Sequence, residues 1–173
     1  MKRSANTGTL VLASVTIFVL VLSAPASLRE AYDRGGFYLF SQAFIEGIPK
    51  TLSGPGRFRF ILQPLTAIVL GIGSGIGDAR IGRRPYLVGM VFDRKLRYEL
   101  LRSGFTTIAN LLLMGILLDS VFQWIILGTS HPGAALIVGP LLVAAPYSLA
   151  RALANRCARL RTAHEQKTRR PNI

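Results

Sequence analysis

Residues 105–128 read FTTIANLLLMGILLDSVFQWIILG, and the only ionisable side chain among them is Asp119. A helix that crosses a bilayer needs roughly 20 mostly apolar residues to cover a hydrocarbon core about 30 Å thick. A helix on the surface of a water-soluble domain would break such a run every few positions with a polar face. The stretch is therefore read as a transmembrane helix. Working outward, residues 134–149 and 61–76 follow the same rule, and residues 9–26 do so after a short basic start. The expected fold is all-α, an integral membrane four-helix bundle with spans at about 9–26, 59–77, 104–128 and 134–153. Residues 1–153 make a single membrane domain in this reading, and residues 154–173 a basic cytoplasmic tail.

Half of the 173 residues are hydrophobic and the mean hydropathy is +0.41, yet the net charge is +13. These facts agree if charge is confined to the ends of the spans. The length leaves no room for a separate soluble domain. A single cysteine, Cys157, excludes an internal disulfide and a four-thiolate metal site. His131 and His164 lie far apart and outside the apolar runs, which argues against a haem held between helices. No metal or cofactor is expected. A pI near 11.2 often points to nucleic acid. Here membrane orientation accounts for the charge, and no aromatic-interleaved basic patch is present. The expected partners are membrane lipids and other membrane proteins or a second copy of the chain, with no nucleic acid.

The arginines set the orientation. With four spans, one side receives residues 1–8, the basic loop 78–103 and the tail from Arg151, which together hold 16 lysines and arginines; the other side receives 5. Basic residues accumulate in the cytoplasm, so both termini are placed there. Trp124 and Phe122 then fall near the outer interface and Tyr147 near the inner one. Ala24-Pro25-Ala26 has the small-x-small pattern of a signal-peptidase site, but the run before it is read as a retained first span.

Between the first two spans, Leu39, Phe40, Phe44 and Ile45 recur at roughly helical spacing. They predict an interfacial amphipathic helix at about 37–48, ended by Pro49 and Gly54-Pro55-Gly56. Ser130-His131-Pro132-Gly133 predicts a tight turn joining the last two spans as an antiparallel hairpin. Asp93 is expected to cap a helix that starts near Arg94.

A charged aspartate at a helix centre costs about 3 kcal/mol on insertion scales, so Asp119 needs a partner. It lies roughly 13 Å below the outer end of its span at 1.5 Å per residue. Gln123 is one turn outward on the same face, Gln63 falls at similar depth on the neighbouring span, and Arg59 sits at that span's outer end. The expectation is a buried polar cluster in which Asp119 bonds to Gln63 or pairs with Arg59. It acts either as a clasp between helices, the favoured reading, or as a proton or cation site.

Gly71, Gly73, Gly75 and Gly77 alternate at the end of the second span. The spacing matches no nucleotide-binding loop. It gives two overlapping small-xxx-small pairs suited to close helix packing. Arg83, Arg84, Arg94, Lys95 and Arg97 are candidate contacts for anionic lipid head groups. No catalytic set emerges. Ser74 lacks the G-x-S-x-G frame, His131 has no acid nearby in sequence, and Cys157 stands alone between Arg156 and Arg159.

Three stretches carry a resemblance: Arg57-Phe58-Arg59-Phe60-Ile61-Leu62-Gln63-Pro64, Gly82-Arg83-Arg84-Pro85-Tyr86-Leu87 and Pro146-Tyr147-Ser148-Leu149. Together they resemble small bacterial inner-membrane proteins to which no activity is assigned. The resemblance covers the C-terminal two thirds and implies a multi-pass protein of the bacterial inner membrane. The expected function is a non-catalytic membrane subunit or accessory protein that associates with other membrane proteins. The alternative is a small transporter or channel component using Asp119. A lipid-modifying enzyme ranks last.

Overall fold

The computed structural model describes residues 7–36, 38–53 and 55–168. The fold is all-α, and four of its helices are long and apolar enough to cross a membrane. In order, the helices are α1 (Thr7–Arg34), α2 (Gln42–Ser53), α3 (Arg59–Arg80), α4 (Tyr86–Phe92), α5 (Arg94–Leu127) and α6 (Pro132–Thr168), with short 3-10 turns at Tyr38–Phe40 and Pro55–Phe58. The four spanning helices are α1, α3, α5 and α6. This is a multi-pass membrane protein.

Several boundaries differ from those expected. Helix α1 runs on through Pro25 to Arg34, and α5 begins at Arg94, ten residues ahead of the expected start of the third span. The stretch 78–103, expected as a basic loop, is mostly helical: it holds the end of α3, all of α4 and the first turns of α5. The division placed at residue 153 falls inside α6, which runs on into the tail. The helix expected at 37–48 starts later, at Gln42, and carries Pro49 inside it rather than at its end. Pro49 lies in the third turn, and the helix continues to Ser53. Residues 1–6 and 169–173 of the basic termini, and the side chain of Lys95, lie outside the described residues.

Packing divides the chain into two compact units. The first combines Met1–Gln63 with Ala109–Val143. In it, α5 and α6 meet as a hairpin at Gly115 and Gly139, where a Cβ on Gly139 would lie 2.8 Å from the Gly115 carbonyl carbon. The connection is short because Gly128 takes φ +76° and donates its N–H to Trp124 O at 3.0 Å, closing α5 with a left-handed cap. Pro132 then opens α6 at the first helical position, where a missing N–H costs nothing. Helix α1 adds Thr16 to this interior, its hydroxyl donating to Leu12 O at 2.7 Å. Otherwise α1 keeps its apolar side chains outward, as Phe18, Val21 and Leu22 show. Helix α2 packs through Phe44, whose ring meets Tyr38 edge-on at 5.7 Å.

The second unit combines Pro64–Ile108 with Ala144–Ile173. Here α3 lies against α6 through Gly71 and Gly75. A Cβ on Gly71 would fall 2.6 Å from Tyr147 O, and one on Gly75 would strike the Arg151 carbonyl and, at 2.9 Å, Ala154 Cβ. Helix α3 ends in a Schellman cap: Gly82 at φ +71° donates to Ala79 O and Arg83 to Asp78 O. The elbow between α4 and α5 is held from both sides. Asp93 Oδ1 accepts from Leu96 N–H at 3.3 Å, the N-cap expected of it, and Arg97 donates to Met90 O and Val91 O at the end of α4.

Candidate functional site

Each unit buries one arginine–aspartate pair. In the first, Arg59 is the first residue of α3 and Asp119 lies within α5. Both are buried, at 4% and 1% exposure, and they form an ion pair. Gln123, one turn along α5, donates Nε2–H to Asp119 Oδ2 at 2.6 Å and accepts the His131 backbone N–H on Oε1 at 2.8 Å. These two bonds fix which way the amide points. The aspartate is thus held by a cation and an amide, and the amide by the turn between α5 and α6. The Arg59 guanidinium also lies over the Phe60 ring at 4.7 Å.

The four residues expected to cluster are therefore only partly joined. Asp119, Arg59 and Gln123 come together, and all four are buried. Gln63 makes no bond to Asp119: neither its amide oxygen nor its nitrogen has a hydrogen-bond partner among the described residues, and the same holds for Arg59 Nε and Nη1. Arg59 takes the place on Asp119 that Gln63 would have filled. A cavity of about 200 Å³ borders the pair, walled by Tyr38, Phe44 and Phe60. His131 closes the same unit. Its ring lies 3.6 Å from Tyr38, and Nε2 is 3.7 Å from Glu30. Burial pulls the imidazole below its usual pKa, and the nearby Glu30 only partly opposes this.

The pair in the second unit was not foreseen. Asp78 lies in the last turn of α3, and Arg151 on α6 reads from the sequence as the first charge of the tail. Arg151 is instead 2% exposed and bidentate on Asp78, with Nε to Oδ2 at 2.7 Å and Nη2 to Oδ1 at 3.1 Å. Its Nη1 donates to the Tyr147 hydroxyl at 3.0 Å and Nη2 to Ser103 Oγ at 3.3 Å. The Tyr86 ring lies 4.4 Å below the guanidinium. Tyr147, placed by sequence at the inner interface, is 1% exposed and belongs to this cluster; its hydroxyl donates in turn to Ser74 Oγ at 3.2 Å. Burial raises the Tyr86 hydroxyl above the ordinary phenol range, against the pull of Arg151.

A signal for this cluster was present. Gly71, Gly75 and Asp78 fall at i, i+4 and i+7, one face of α3. The glycines bring α6 close, and Asp78 then reaches Arg151 one turn on. Gly73 and Gly77, grouped with them by sequence, point the other way: a Cβ on either would meet nothing within 4 Å.

The basic residues assigned to lipid separate likewise. Arg84 and Arg94 are exposed. Arg83 pairs with Glu99, and Arg97 is directed at the carbonyls of α4. Among the described residues no His, Cys, Asp or Glu side chains group to hold a metal ion. No family model matches this chain, and no curated protein or solved structure matches it either.

Chemically, both pairs act as neutral struts. A buried aspartate or arginine alone in hydrocarbon is costly, and each is matched here by its opposite. Removing one partner would strand the other.

Proposed function

We propose that the chain is a non-catalytic integral membrane subunit or accessory protein that associates with other membrane proteins. The carrying observation is that the buried acids and arginines of its spans are matched within the chain: Asp119 by Arg59 and Gln123, and Asp78 by Arg151. Polar groups so placed stabilise helix contacts and leave the apolar faces for association. Gly73 and Gly77 add support, because they leave bare backbone on an exposed face of α3 where a foreign helix can approach closely.

The same reading places the protein in a bacterial inner membrane with both termini in the cytoplasm. Arg151 and Arg59 are buried and leave the charge count on their respective sides, and the bias stands at 15 against 4. The second reading, a transporter or channel component using Asp119 as a proton or cation site, draws on the cavity of about 200 Å³ beside that residue. Arg59 weighs against it, since a cation would have to displace an arginine already paired there.

Affinity capture of the full chain in mild detergent tests the association. The expected result is a membrane protein, or a second copy, recovered in fixed ratio and cross-linked through Gly73→Cys. A monodisperse monomer with no cross-linked product at that position would overturn the proposal.

A further inference from the structure

An open groove of about 1130 Å³ lies between α3 and α6 in the second unit. Ile68, Ile72 and Ile76 line it on α3, and Leu149 and Leu153 on α6. At one end its lining turns basic, with Arg80 from the last turn of α3 and Arg161 from α6, and among the described residues no acidic side chain lines it. Both arginines are exposed.

The dimensions identify the occupant. Ile68 and Arg80 are twelve residues apart on one helix, which is roughly 18 Å at 1.5 Å per residue. Half of a hydrocarbon core about 30 Å thick is roughly 15 Å. The groove is thus apolar over about the length of one leaflet and cationic at one end. A transmembrane helix from a partner would need a track about twice as long. We infer that this groove is a binding site for an anionic phospholipid, with an acyl chain against Ile72, Ile76 and Leu153 and the head-group phosphate between Arg80 and Arg161. The Ala150 and Ala154 positions on the groove floor are small, which gives a chain room to lie flat. Neither Asp78 nor Arg151 lines the site, and it does not depend on the association proposed above.

The test uses the full chain reconstituted in vesicles of brominated phosphatidylglycerol or brominated phosphatidylcholine. Leu153→Trp in a Trp124→Phe background places the single fluorophore in the groove. The expected result is stronger quenching by brominated phosphatidylglycerol, reduced by roughly fivefold in relative affinity for each of R80Q and R161Q. Quenching by the zwitterionic lipid should be unchanged in those variants. Should a variant fail to fold, raising the salt on the parent protein gives the same reading, since the preference must fall with ionic strength. Equal quenching by both lipids, a preference that survives R80Q/R161Q or high salt, or a fluorophore shielded from both lipids by a bound protein would each overturn the site.

Discussion

The Arg151 guanidinium grips the Asp78 carboxylate side-on, Nε on Oδ2 and Nη2 on Oδ1, with the Tyr86 ring 4.4 Å beneath it. Such a geometry belongs to arginine alone, because lysine offers a single point of charge. Asp78→Asn should lower stability by about 3–5 kcal/mol, since it strands a buried cation. Arg151→Lys should fall short of full stability, and replacing both residues by apolar ones of similar size should recover most of the loss. Thermal unfolding in detergent of the two single variants and the double variant measures the coupling.

Removing Asp119 should behave differently from removing Gln63. Asp119→Asn leaves Arg59 buried without its counter-charge and should cost about 3–5 kcal/mol. Gln63→Leu removes an amide whose donor and acceptor are both unmatched among the described residues, so it should be neutral or stabilising. Unfolding midpoints of the two variants decide this. Equal losses would show that Gln63 has a partner in the working protein. If transport is found, its persistence in Asp119→Asn would discard the cation-site reading.

The alternating glycines should separate by face. Gly75→Ala drives a methyl into the Arg151 carbonyl and Ala154, both on a packed helix, and should destabilise by more than about 2 kcal/mol. Gly77→Ala meets open space and should raise stability slightly, by up to about 1 kcal/mol, through helix propensity. Opposite signs in the two unfolding curves are the expected result.

His131 should make the protein acid-sensitive. Its folded pKa lies below the usual 6.5, so the unfolded chain takes up a proton before the folded one does. Stability is therefore complete above about pH 6.5, falls as the pH drops below that value, and levels off once the folded imidazole also protonates. His131→Gln should flatten that slope. Unfolding midpoints of the two proteins across pH 5–8 measure the difference.

Topology has its own test. On the proposed orientation, Arg84→Cys in a Cys157→Ser background should react with a membrane-impermeant thiol reagent only after the membrane is opened. Labelling in intact cells would invert the orientation.

Much of this was legible in the chain. Runs such as residues 105–128 have one physical solution in lipid, a helix that satisfies its own backbone. Ser130-His131-Pro132-Gly133 foretold the hairpin because turn-forming residues and the fixed φ of proline are local properties. Asp119 was found because one acid in an apolar run must have a partner. Arg151 escaped notice because it follows an apolar run and reads as a flanking charge, and only its distance to Asp78 on another helix reveals otherwise. Tyr147 was misplaced for the same reason, since an aromatic near a span end is equally at home at an interface or under an arginine.

The sequence by itself determined what depends on one segment at a time: that the helices form, that they are apolar enough to cross a membrane, and roughly where they turn. Which of two interleaved glycine pairs faces a neighbour, and which arginine answers which aspartate, only the tertiary structure decided. Those choices depend on the rotation of one helix about its axis against another, and a rotation of about 100° per residue is too coarse a step for composition to fix.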